Sequence, residues 1–165
     1  MFRLSNLEPT KPFWGASWSV PAFSLHCSPR SPLCSMAGSL GSIPMLKWLR
    51  EKDVSWEFSA MSFAAEYGHL ETMIWLKENG CPLQGGYFYG APKQGHLEIM
   101  KWVFENGYRL DRMDVEGAAA GGHLEMLKWM AEKGCSLNER ACTEAARGGH
   151  LEALKWLREK GCRWN

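Results

Sequence analysis

One phrase recurs along this chain at a constant interval. Residues 68–75 read GHLETMIW, 95–102 GHLEIMKW, 122–129 GHLEMLKW and 149–156 GHLEALKW. A worn copy, GSIPMLKW, occupies 41–48, so the starts at 41, 68, 95, 122 and 149 are each 27 residues apart. No unit this short can bury its own apolar residues, so the copies must stack side by side and share one elongated core. The chain has the material for such a core, at 45% hydrophobic residues and 22% charged.

Each unit divides into two helical pieces. In the last one, residues 141–147 (ACTEAAR) are short, Ala-rich and helix-favouring. Gly148 and Gly149 interrupt, and residues 151–160 resume as a second helix that stops at Gly161, a left-handed C-terminal cap. Gly80, Gly107 and Gly134 hold the same place. Glu71, Glu98, Glu125 and Glu152 fall in the first turn, where an acid complements the helix dipole. Lys101, Lys128 and Lys155 follow three of them at a spacing that shares a face. With Ala37 matching Ala64, Ala91, Ala118 and Ala145 in an N-terminal half-unit at 33–40, the expected architecture is an all-α solenoid of five helix pairs over residues 33–165. Trp48, Trp75, Trp102, Trp129 and Trp156 are expected to be core.

Two units break local rules. The second has Gly85, Gly86, Gly90 and Pro92 where its first helix should form, so that helix is expected to be short or distorted. The first has Asp53 in place of the capping glycine and Pro44 in the first turn, where proline is tolerated. Residues 1–32 hold five of the eight prolines among many serines, with Phe13, Trp14, Trp18 and Phe23 between them. They read as an irregular lead-in that partly covers the first unit, or alternatively as a weak transit peptide.

The repeated phrase GHLExLKWLxExGC resembles the second helix of ankyrin repeats, and ACTEAARGG at 141–149 looks like the first helix and its glycine turn. The likeness covers about residues 33–165. The period is 27 and not the usual 33, and the TPLH opening is absent. The missing residues fall where ankyrin repeats carry a β-hairpin finger, so fingers are expected to be reduced or absent. Short Trp- and Cys-containing repeats of this kind are similar to arrays common in giant viruses and some protists. The resemblance implies a curved stack of L-shaped helix pairs used to bind other proteins.

The function classes then narrow. A net charge of +1, with Lys and Arg in every repeat, offers no basic stripe for nucleic acid. No apolar run approaches the roughly 18 residues of a membrane span. His69, His96, His123 and His150 stand one repeat apart, too far for one metal ion, and are expected to bond backbone groups in the glycine turn and fix the two helices. Cys81, Cys135 and Cys162 share one repeat position and, with Cys27, Cys34 and Cys142, are read as reduced, half-buried thiols of a cytoplasmic protein. There is no Ser-His-Asp ordering, no phosphate loop and no paired carboxylates, so neither catalysis nor a cofactor is expected.

What varies between copies is the stretch joining one unit to the next. Its members include Trp56, Glu57, Gln84, Tyr87, Tyr89, Arg109, Asp111, Arg112, Asn138, Glu139 and Arg140. Trp, Tyr and Arg dominate protein interfaces, so these residues are the expected contacts of an adaptor or scaffold with another protein. The alternative is a subunit recruiting substrates to a modification enzyme such as a ubiquitin ligase, which would need a docking motif not found here. The last unit is as apolar as an internal one, so its end reads as a sticky face, as a surface for self-association with another chain, or as the end of a truncated gene product.

Overall fold

The computed structural model describes residues 31–54, 58–83 and 88–163. These form ten helices and, among the described residues, no strand. They are α1 Ser31–Ser39, α2 Ile43–Glu51, α3 Phe58–Glu66, α4 Leu70–Glu78, α5 Gly90–Gln94, α6 Leu97–Glu105, α7 Arg112–Ala120, α8 Leu124–Glu132, α9 Glu139–Arg147 and α10 Leu151–Glu159. The first helices pack in series, α1 on α3, α3 on α5, α5 on α7 and α7 on α9, and each second helix packs on its own first helix. The result is the expected all-α stack of five pairs. It opens at Ser31, two residues before the expected boundary, and the lead-in reading of the preceding residues lies outside the described chain.

Glycine sets the helix lengths. At the end of α10, Gly161 takes φ +86°, Gly161 N–H donates to Arg158 O (3.0 Å) and Cys162 N–H reaches back to Leu157 O (3.1 Å). This paired closure satisfies two carbonyls that the helix end would otherwise leave open. The first unit makes the same closure with Asp53 at φ +55°, the single non-glycine residue at positive φ among those described.

The core is a ribbon of one buried patch per helix. In α8 it is Met126, Leu127 and Met130, all nearly inaccessible. At 100° per residue these three cluster on one side, while Leu124 and Trp129 fall more than a quarter-turn away on opposite flanks. The tryptophans therefore do not form the core column expected of them. Trp75, Trp102, Trp129 and Trp156 are half-buried against the ribbon's rim, and Trp48 is 54% exposed. Rim positions let cations share the indoles: Lys77 Nζ lies 5.7 Å from the Trp102 ring, and Lys160 Nζ 6.0 Å from Trp156.

The irregular unit is shortened as its glycines and proline require. α5 has five residues where the other helices have nine. Its C-terminal Gly95 still adopts φ +82°, so the turn into α6 matches that of the other units.

Candidate functional site

The expected contacts fall in the loops joining one pair to the next and at the starts of the following first helices. Four expected contacts, Trp56, Glu57, Gln84 and Tyr87, lie outside the described residues. Arg109, Asp111, Arg112, Glu139 and Arg140 are exposed, and Tyr89 and Asn138 are half-buried.

Two of these side chains also hold the ends of first helices. Asp111 caps α7: its Oδ1 accepts from Met113 N–H (2.7 Å) and Asp114 N–H (3.2 Å), while Asp114 Oδ2 accepts from Asp111 N–H (2.8 Å). This reciprocal box satisfies both ends of the first turn. Asn138 Oδ1 caps α9 by accepting from Ala141 N–H at 3.0 Å. The signal was present in the sequence, as Asp and Asn directly before helix-forming stretches, although the two positions were read there only as variable surface.

Two expected contacts converge on one carboxylate, and a third packs beside it. Glu116, almost fully buried, has Arg112 Nε at 3.5 Å and Asn138 Nδ2 at 3.5 Å. The Tyr89 ring lies over Gly117, where a Cβ would meet it at 3.3 Å. Burial, then the carboxylates of Glu144 and Glu116, push the Tyr89 phenol upward. Arg109, one turn of loop earlier, lines a groove with Lys77, Leu83, Asn106 and Tyr108. Arg140 stands apart on the next loop. The edge thus offers guanidinium groups and a phenol on an acid-backed support, a surface suited to hydrogen bonding and stacking with a polypeptide.

The groups with displaced titration owe it chiefly to burial. Burial lifts Asp114 to about 6, with Tyr108 O–H donating to its Oδ1 at 3.3 Å. Burial raises the Tyr108 phenol as well, with Asp114 and Asp111 adding to it. Cys81 is pushed up to about 11 by burial, and Cys142 to about 12 by burial and its hydrogen bond with Cys162. Raised thiols are protonated and inert as nucleophiles. Cys34, Cys81, Cys142 and Cys162 are buried and Cys135 half-buried, so these cysteines are deeper than expected. Cys27 lies outside the described residues.

The histidines bond backbone, but not in their own turns. His69 Nε2 meets Ser39 O (2.9 Å), His96 meets Glu66 O (3.0 Å), His123 meets Lys93 O (2.9 Å) and His150 meets Ala120 O (2.9 Å). Each partner is 30 residues upstream, in the last turn of the preceding unit's first helix. The expectation that they fix the two helices of one unit is therefore corrected: they staple one unit to the one before. The glycine of that preceding unit makes the room. A Cβ at Gly41, Gly68, Gly95 or Gly122 would come within 2.8 Å of the incoming imidazole.

Among the described residues, no group of three or more His, Cys, Asp and Glu could hold a metal ion, and no helix is long and apolar enough to cross a membrane. Residues 118–158, spanning the end of α7 through most of α10, match the family model for ankyrin repeats (many copies). A comparison with curated proteins finds no match.

Proposed function

We propose that this chain is a non-catalytic adaptor or scaffold built of ankyrin repeats: residues 118–158 match the model of that family, whose repeats are generally protein–protein interaction modules. Its partner is a protein that it grips through the loop edge. The observation that carries this reading is the contrast within the chain. Core positions such as Met73, Met100 and Leu127 repeat in kind and are fully buried, whereas Arg109, Arg112 and Arg140 differ from their counterparts in neighbouring units and are exposed. A rigid stack with changeable edge residues binds by presenting a preordered set of anchors, which lowers the ordering cost of association.

The test is an affinity capture with the whole chain as bait, followed by a binding titration against each captured protein. The variant Trp56→Ala/Tyr87→Ala/Arg112→Ala/Arg140→Ala is expected to bind at least about tenfold more weakly. A control on the second helices, Glu98→Ala/Lys101→Ala, removes only an exposed 2.7 Å ion pair and is expected to leave affinity unchanged. If the fourfold edge variant binds every partner as tightly as the parent, the edge is not the contact surface.

A further inference from the structure

On the second-helix side of the stack, three repeat positions meet between neighbouring units. Between α6 and α8 they form a closed triad. The Phe104 ring meets Trp129 edge-on with centroids 5.8 Å apart, and Lys133 Nζ lies 5.5 Å from the Phe104 centroid. One period on, Trp156 and Lys160 repeat Trp129 and Lys133, but Ala131 stands at the position of Phe104. Both flanks of a ring are thus reproduced between α8 and α10, and the ring itself is reduced to a methyl group. A groove of about 480 Å³ lies there, lined by Lys128, Ala131, Glu132, Trp156 and Lys160. Lys160 Nζ, with no phenyl ring beneath it, lies 6.0 Å from the Trp156 centroid.

The walls of this groove are two successive second helices, and neither end face of the stack contributes one. Past Lys160 the chain turns to the first-helix layer, where Cys162 Sγ–H donates to Asn138 O at 2.7 Å, at the start of α9.

The chemistry of the walls decides what fits between them. One junction earlier in the stack, Lys77 covers Trp102 at 5.7 Å. This position therefore accepts either a ring or a cation against the indole. At Trp156 the nearby Lys160 ammonium repels a second cation but meets a ring face as Lys133 meets that of Phe104. Lys128 adds a further ammonium, held only weakly by its exposed 2.7 Å pair with Glu125. Glu132 is the one acid among the lining residues. A ring is favoured over a cation, and acidic neighbours of that ring would complement the two lysines.

We propose that this groove receives a phenylalanine or tyrosine side chain of a partner polypeptide, flanked by acidic residues and seated against Trp156 as Phe104 is seated against Trp129. It is a second contact surface, and it stands independently of the loop edge.

NMR of the whole chain, labelled at the indole nitrogens, tests this. The Trp156 and Trp129 signals are assigned with Trp156→Phe and Trp129→Phe. A blocked Asp-Phe-Asp tripeptide is expected to shift the Trp156 signal saturably, with a Kd on the order of 1 mM. Asp-Ala-Asp, which has no ring, should leave the signal in place, and Lys-Phe-Lys should bind at least about threefold more weakly. Ala131→Phe supplies the ring from within. It should abolish the response and raise Tm by about 2–4 °C. Phe104→Ala should open an equivalent slot one unit earlier, so that Trp129 responds as well. A Trp156 signal that never moves overturns the proposal, as does an equal response to Asp-Ala-Asp or an Ala131→Phe variant that responds like the parent. Equal binding of Lys-Phe-Lys overturns the acidic flank. A Trp156 signal that moves when the parent alone is diluted overturns the proposal in favour of a second copy in the groove.

Discussion

α5 and α7 occupy the same slot in consecutive units and are made very differently. α7 has nine residues, a reciprocal cap at Asp111 and Asp114, and an unbroken buried run from Asp114 to Ala119. α5 has five residues, no side-chain cap and a proline inside it. Yet the staples on either side are alike: His96 reaches Glu66 O at 3.0 Å, and His123 reaches Lys93 O at 2.9 Å. The difference teaches that first-helix strength is not what sets the register. The second helices and their Gly-His turns set it, and first helices of very unequal quality are accommodated between them.

The largest expected effect tests that ranking directly. Met100→Ala, in the second helix of the α5 unit, empties a fully buried site and should cost about 2–5 kcal/mol in urea unfolding. Asp111→Ala removes the best first-helix cap and should cost about 1–2 kcal/mol. If the two rank the other way, the first helices govern the stack after all.

A pH series sharpens the contrast from another side. Asp114 is a buried carboxyl in the first turn of α7, where α3 and α9 carry Ala60 and Ala141. Burial, outweighing the hydrogen bond from Asp111 N–H, raises it from 3.8 to about 6. The unfolded chain therefore releases this proton at lower pH than the folded chain does. The contribution of Asp114 to stability is full below about 4, declines as pH rises toward about 6 and is level above, by on the order of 1–3 kcal/mol. Chemical unfolding at pH 4 and pH 7 should show this slope in the parent and lose it in Asp114→Asn. An unchanged slope in the variant assigns the dependence to another group.

The smallest effect concerns the first unit. Asp53 holds φ +55° where other units place glycine. Asp53→Gly should stabilise by about 0.5–1 kcal/mol, since an L side chain is strained there. A loss of stability would mean that the Asp53 side chain contributes more than its backbone strain costs.

Periodicity made most of the fold legible, because 27-residue spacing and the glycine stops at Gly80, Gly107, Gly134 and Gly161 are local signals that tertiary structure does not override. Burial was harder to read. Trp129 looks like core by residue type, but nine-residue helices bury only about a third of their circumference, and its angle puts it on the rim. The histidines were read as local because sequence spacing does not reveal that a turn points at the neighbouring unit. At the loop edge, Asp111 and Asn138 differ from their counterparts as exposed contacts would, yet both are engaged as caps. A residue can vary between copies because its own helix needs it, and composition alone does not separate that cause from recognition.

The reach of the staple has a consequence for how such a chain can change length. Every histidine bond described joins only adjacent units, and each of the three middle units supplies both an imidazole for the one before it and a carbonyl and a glycine for the one after. A duplicated 27-residue segment spliced in at any Gly-His boundary would arrive with its wiring complete and leave no severed bond behind. Growth or shrinkage by whole modules is thus nearly free of structural debt, whereas an insertion of any other length must break the ladder where it lands.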